Sequence, residues 1–315
     1  MPPLTIIFCG TPSFALPTLR ELLSHPEFAI AGVVTQPDRP RGRGQDIQAS
    51  PVKETAVAAG IPVYQPEKIK SDEGFEYFQR VAPDVLMIIA YGQIISERLI
   101  AIPRLGWINL HASLLPKYRG AAPINWAIVN GEKITGLTTM QIDAGLDTGP
   151  LLLKYETSIA ADETAPELTA RLAEAGGALI VETLRKLDRG ELVPVAQDNS
   201  QATVAPILKK EDGRIDWRLS AYKIYNRIRG LQPWPGAFTA FRGKNCRIWG
   251  KPLERVAAGG MPGAILPTRE DGLLVICGSS TLLQIEQVQI EGRNRVTDGE
   301  FMRGAHIVPG ERFGP

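Results

Sequence analysis

Three polar side chains stand where this chain can run acyl-transfer chemistry: Asn109, His111 and Asp147. Asn109 and His111 lie two apart in Trp107-Ile108-Asn109-Leu110-His111, an apolar segment that reads as the end of a strand. In extended backbone that spacing sends both side chains to one face. An Asn amide donates a hydrogen bond, and a His moves a proton near neutral pH. Asp147 follows 36 residues after His111, in Gly145-Leu146-Asp147-Thr148-Gly149. Each residue also has a plainer use. Asn109 can satisfy a loop backbone, and His111 can be a hydrogen-bonded structural residue. Asp147, followed by Thr148-Gly149, suits an Asx turn.

The elements that must bring the three together alternate between short apolar runs and helical patterns. Leu4–Cys9, Ile30–Thr35, Ile61–Tyr64, Asp84–Ala90 and Trp107–His111 read as strands. Ser13 is a candidate cap for a helix continuing through Leu16, Leu19 and Leu22-Leu23, and Pro51–Gly60 carries Pro at its start and Gly at its end. Strands alternating with helices predict an α/β fold, with a mainly parallel Rossmann-like sheet and helices on both faces. Sites on such sheets lie off the carboxyl ends of the strands, where Asn109 and His111 sit. Asp147 opens a loop after the strand-like Leu137–Ile142. The turn Gly10-Thr11-Pro12 lacks the G-x-G-x-x-G fingerprint and Pro12 removes a donor, so a dinucleotide site is not expected. A phosphate-binding P-loop is also missing.

Asp162–Leu187 is helical in pattern, and the polar Gln197–Gln201 reads as a linker. Ser220–Arg229 reads as one helix. The runs Gly236–Phe241, Cys246–Gly250, Leu273–Cys277 and Leu282–Ile290, separated by turn residues, predict a small antiparallel barrel, with Phe301–Gly304 closing a short last helix. The expected layout is a catalytic domain over 1–189, a linker over 190–208 and a barrel domain over 209–315. No apolar run approaches the roughly 18 residues of a membrane span, and the N-terminus carries no signal pattern. With three separated cysteines and only three histidines among 315 residues, no disulfide framework and no metal site are expected. Cys9 reads as a buried filler, and the setting as a reducing cytoplasm.

Charge is unevenly spread. Residues 209–255 hold 12 Lys/Arg against 4 Asp/Glu, starting at Lys209 and Lys210, whereas residues 1–204 hold 18 against 23. The basic stretch suits a polyanion partner, or else a solvated basic face. Earlier, Arg39, Arg41 and Arg43 alternate with Pro and Gly in Gln36–Gly44. Such a loop forms neither helix nor core strand, and its charge suits phosphates.

Beyond these residues, longer stretches carry a resemblance. The chain resembles the methionyl-tRNA formyltransferases, of the folate-dependent formyltransferase family, over nearly its whole length. The matching stretches are Phe8–Pro12, Thr35–Pro40 with Gly42–Gly44, Ser50–Lys53, Ala90–Ile94, His111–Pro123, Met140–Gly149, Arg214–Trp217 and Pro233–Pro235. The resemblance implies 10-formyltetrahydrofolate as donor and methionyl initiator tRNA as acceptor. It implies a Rossmann-like catalytic domain, an OB-like C-terminal domain that binds tRNA, and a monomer. In the family the pterin and formyl group lie near Ser113-Leu114-Leu115-Pro116 and the Ala90-Tyr91-Gly92 loop, and the arginine loop meets the acceptor stem. One departure follows Gly44, where Gln45–Ala49 stand in place of the lysines that related chains tend to carry.

Formyl transfer sets three tasks: stabilise an oxyanion, remove a proton from the attacking amine and return one to the leaving nitrogen. Asn109 suits the first, worth about 3 kcal/mol when lost. His111 can donate to the oxyanion or relay a proton, and Asp147 can hold His111 charged and help deprotonate the amine. Other formyltransferases, acting on sugars or small amines, carry the same trio, and a non-catalytic RNA-binding relative is a third possibility.

Overall fold

The computed structural model describes residues 2–41, 46–257, 259–268, 272–308 and 310–314, with the side chains of Arg41, Asp46 and Pro267 left aside. In chain order the elements are β1 (Leu4–Gly10), α1 (Leu16–Leu23), β2 (Phe28–Val34), β3 (Arg39–Arg41), β4 (Asp46–Gln48), α2 (Pro51–Ala58), β5 (Val63–Tyr64), α3 (Asp72–Val81), β6 (Val85–Ile89), α4 (Glu97–Ile100), β7 (Trp107–His111), β8 (Arg119–Gly120), α5 (Pro123–Val129), β9 (Ile134–Gln141), β10 (Leu151–Ser158), α6 (Ala165–Asp188), β11 (Val204–Ala205), α7 (Ala221–Gly230), β12 (Phe238–Phe241), β13 (Lys244–Val256), β14 (Ile265–Pro267), β15 (Leu273–Ile276), β16 (Thr281–Ile290), β17 (Val296–Thr297) and α8 (Asp298–Ala305). They form two compact units.

The first unit comprises Met1–Pro123, Ile134–Ser158 and Thr169–Ala205. Its sheet runs β10-β9-β7-β6-β1-β2-β5. The five strands from β7 to β5 pair in parallel, and β9 and β10 extend the sheet antiparallel on the β7 side. Every residue of β6 is buried, as is all of β1 except Thr5, which is what continuous apolar runs require in a sheet covered on both faces. Ile7, Cys9, Phe78, Leu86 and Trp107 belong to one buried cluster. Ser50 and Ser71 cap α2 and α3 through Lys53 N and Gly74 N.

Ser13, expected as a cap, instead begins a 3-10 turn, and α1 starts at Leu16 without a side-chain cap. Pro17 marks the start, because its missing N–H falls where a helix has no partner for one. The edge strand β10, partly exposed along its length, lacks the uniform apolar character that made the inner strands readable.

The second unit comprises Ile124–Lys133, Ile159–Leu168 and Pro206–Pro315. Its antiparallel sheet, β12-β13-β16-β15-β14 with β17 beside β16, curls as a half-barrel. Trp217 stacks on Phe313 at 5.8 Å between ring centres and donates from Nε1 to Thr239 Oγ1 at 3.0 Å. Gly230 lets α7 lie close to α5, since a Cβ there would stand 2.9 Å from Val129 Cγ2. The buried Arg229 donates to the carbonyls of Ala160 and Glu163, and Tyr225 donates to Asp162 at 2.7 Å. Among the described residues no helix is long and apolar enough to cross a membrane.

Candidate active site

Strand β7 carries the site. Trp107 anchors it: fully buried, it donates from Nε1 to Leu99 O at 2.8 Å and meets Phe78 edge-on. Two residues on, Asn109 pairs in register with Ile88 of β6 and Met140 of β9. It is half-buried, and no described residue hydrogen-bonds its amide, which leaves that amide free to donate. The plainer use, satisfying a loop backbone, is therefore not seen. His111, at the carboxyl end of β7, is buried.

The His111 ring is held at one nitrogen and faces a carboxylate with the other. Nε2 donates to the carbonyl of Tyr118 at 2.9 Å, and Nδ1 lies 3.6 Å from Oδ2 of Asp147. The Tyr118 carbonyl is an acceptor, and the Asp147 carboxylate stands within ion-pair reach of the ring when it is protonated. Tyr118 is fixed in turn, its N–H donating to Thr203 Oγ1 at 2.9 Å.

Asp147 reaches the ring from the loop after β9, with φ 51°. Its Oδ2 also accepts from Gly120 N at 2.8 Å. Gly120 has φ 116°, and a Cβ there would stand 2.7 Å from Ala205 O, so glycine is required where β8 runs against β11. The Asx turn does occur, but on a different residue: Asp143 accepts from Gly145 N at 3.0 Å and from Thr148 Oγ1 at 2.7 Å. That leaves the Asp147 carboxylate for His111. A Cβ on Gly149 would stand 1.8 Å from Gln141 O, so the loop closes only with glycine there.

The segment Ser113–Pro116 folds across β9. Thr138, fully buried, donates to Ser113 O at 2.7 Å and accepts from Leu115 N at 3.1 Å. Lys154 donates to Leu115 O at 2.6 Å, and the Ser113 hydroxyl donates to Lys117 O at 2.6 Å. Leu115 is fully buried, whereas Leu114 and Pro116 are partly exposed. The Leu115–Pro116 bond is cis.

Off the end of β6, Ala90 at φ 48° and Gly92 at φ 85° flank Tyr91. Gln36 secures this turn, donating to Tyr91 O at 2.9 Å, and Gln93 accepts from Ile69 N at 2.7 Å. Ala90 and Gly92 are exposed, while the Tyr91 side chain is buried.

Of the expected tRNA-contacting residues, Arg39 is exposed on β3, which pairs with β4 in a two-stranded sheet. The register pairs Arg41 with Asp46 in the β3–β4 ladder. Arg43 lies outside the described residues. Lys209 and Lys210 are exposed in the second unit, Lys209 capping and Lys210 opening a 3-10 turn whose Asp212 accepts from Lys209 N.

Sequence reasoning missed three residues that hold this site. Thr138 and Gln36 support the two loops, and Gln197, from the stretch expected as linker, bonds the Asp147 loop. None belongs to a motif with a chemistry of its own. A surface recess of about 600 Å³ lined by Phe75, Arg98 and Arg104 lies beside the segments that lead into β6 and β7, the opposite end from His111.

Residues 4–184 match the formyl transferase family, and residues 207–306 match the formyl transferase C-terminal domain. The chain belongs to the formyl transferase family. It is 52% identical over 309 residues to the methionyl-tRNA formyltransferase of Solibacter usitatus, covering 98% of each chain. It is 49% identical over 314 residues to that of Geobacter sulfurreducens, covering 99% of this chain and 97% of the relative. Among solved structures, an N-formyltransferase from Helicobacter canadensis, in complex with folinic acid and dTDP-3-aminofucose, superposes with a TM-score of 0.66 at 17% identity, covering 90% of this chain and 99% of that one. HypX from Aquifex aeolicus, in complex with tetrahydrofolic acid, superposes with a TM-score of 0.61 at 15% identity, covering 95% of this chain and 46% of that one. At these identities the likeness shows the fold. No cluster of His, Cys, Asp and Glu suited to a metal occurs among the described residues.

Proposed function

We propose that the chain transfers the formyl group of 10-formyltetrahydrofolate to the α-amino group of methionyl initiator tRNA, giving the N-formylmethionyl-tRNA used to start translation. The observation that carries the reaction type is the approach of Asp147 to 3.6 Å from His111, on the strand that also presents the Asn109 amide, which no described residue hydrogen-bonds. The choice of acceptor is supported by relatives named for methionyl-tRNA that match this chain from end to end.

The methionyl amine attacks the formyl carbon, forming a C–N bond. The bond from that carbon to N10 breaks, the amine gives up a proton, and N10 gains one. Asn109 donates to the oxyanion that develops on the formyl oxygen. His111 adds a positive charge beside that oxygen and carries a proton. Asp147 holds the imidazolium and takes the amine proton directly or through water. The folate's flat ring suits the turn at Ala90–Gly92, where a Cβ on Gly92 would meet only Gln36, at 3.9 Å, so the backbone is approachable. Arg39, Arg41, Arg43, Lys209 and Lys210 serve the tRNA phosphates.

The test is an assay with 10-formyltetrahydrofolate and three acceptors: methionyl initiator tRNA, a methionyl ester and an amino-sugar nucleotide. Formylation of the tRNA at the highest kcat/KM is expected. Preference for the amino sugar would overturn the proposal.

A further inference from the structure

The loop that carries Asp147 is gripped by one side chain. Gln197 Nε2 donates to the carbonyl of Asp147 at 2.9 Å and to that of Gly149 at 2.8 Å. On the other side of the same amide, Gln197 Oε1 accepts from Arg119 Nε at 3.0 Å and Nη2 at 2.7 Å. Arg119 Nη2 also donates to Asn199 Oδ1 at 2.8 Å. A guanidinium has only donors and the two carbonyls are only acceptors, so the amide fits in one orientation. Flipped, it would set N–H against N–H and oxygen against oxygen.

This grip falls where the backbone needs one. Asp147 sits at φ 51°, in the left-handed region that costs a non-glycine residue about 1 kcal/mol and persists only where surroundings enforce it. Arg119 and Gly120 act on Asp147 together. Gly120 N fixes the carboxylate directly, and Arg119, through Gln197, fixes the main chain beneath it. The carboxylate thus has a set position and direction relative to His111 Nδ1.

We infer that Gln197 is a positioning residue for Asp147, with Arg119 fixing the orientation of its amide. The inference rests on the reading of Asp147 as part of the reacting centre. It explains why a polar side chain far along the chain from every catalytic motif aims its amide N–H groups at the carbonyls of this loop and its oxygen at Arg119. With Gln197 truncated, the Asp147 backbone is released, and the carboxylate loses its fixed geometry against His111. A displacement of about 1 Å in a reacting group costs up to a hundredfold in rate.

The experiment is single-turnover formyl transfer by the full chain at saturating donor and methionyl-tRNA. It compares wild type, Gln197→Ala, Asp147→Asn and the double variant, each shown folded by circular dichroism. Gln197→Ala is expected to slow transfer about tenfold to a hundredfold with both KM values little changed. In the Asp147→Asn background it should add less than about twofold, because its effect passes through Asp147. A wild-type rate for Gln197→Ala, or a full multiplication of the two losses, would overturn the inference. A wild-type rate for Asp147→Asn would instead overturn the reading of Asp147 itself. Should Gln197→Ala fail to fold, Gln197→Glu serves with the same outcomes, since it keeps the acceptor for Arg119 and lacks both donors.

Discussion

His111 Nδ1 stands 3.6 Å from Asp147 Oδ2, although one residue ends a buried strand and the other sits in a left-handed loop position. That separation is too long for a direct hydrogen bond and suits an ion pair when the ring is protonated. The Tyr118 carbonyl on Nε2 keeps the ring from turning away. The carboxylate is held by Gly120 N. The pair is thus assembled from three stretches of chain: the end of β7, the Tyr118–Gly120 segment and the loop that carries Asp147.

Thr138→Val keeps the buried shape and removes one donor and one acceptor. Ser113 O and Leu115 N then lose their partner, at a cost of about 2 kcal/mol. Thermal unfolding should shift down accordingly. The KM for 10-formyltetrahydrofolate should rise more than that for tRNA, because the Ser113–Pro116 segment is the one disturbed. Equal rises would detach this segment from the donor.

Arg39→Ala removes an exposed cation from β3. We expect kcat/KM for methionyl-tRNA to fall several-fold, and its logarithmic salt dependence to flatten by about one unit of slope. Activity toward a short methionyl ester should hold. Parallel losses on both acceptors would place Arg39 outside the tRNA contact.

Asp38 links β2 to the β3–β4 ladder. Hydrogen bonds from Lys53 and Gln65 hold its carboxyl below the usual carboxylate range. A depressed folded-state value stabilises the protein fully above the unfolded-state value, about pH 4, and the contribution is lost as pH falls through the depressed value. Acid titration of stability should therefore show a shallower decline below about pH 4 in Asp38→Asn than in wild type. An unchanged slope would dismiss the link.

Burial pushes the thiols of Cys246 and Cys277 up to about 12 and raises that of Cys9 as well. All three are free and buried. A thiol reagent at pH 8 should leave the native enzyme unlabelled and titrate three thiols after denaturation. Rapid labelling of the native protein would contradict this burial.

The parts of the site that were legible in the sequence obey local rules. Asn109 and His111 share a face because strand side chains alternate, and their place at a carboxyl strand end follows from the parallel sheet. The family motifs carried Asp147. What stayed hidden depends on contacts distant in sequence. Gln197 bonds Asp147 O across 50 residues and Arg119 across 78, and nothing in Gln197-Asp198-Asn199-Ser200-Gln201 distinguishes it from solvated loop. The Asx turn was legible as a type but not by position, because Asp143 and Asp147 both precede glycine-containing turns and only the register of the loop decides between them. Ser13 was a sound cap by composition, yet Pro17 set the helix start.

The most direct test is single-turnover formylation of methionyl initiator tRNA by folded His111→Ala at saturating 10-formyltetrahydrofolate. A loss of the transfer step by about a hundredfold or more, with both substrates still bound, is predicted. Transfer at the wild-type rate would contradict the assignment of this strand end as the reacting centre.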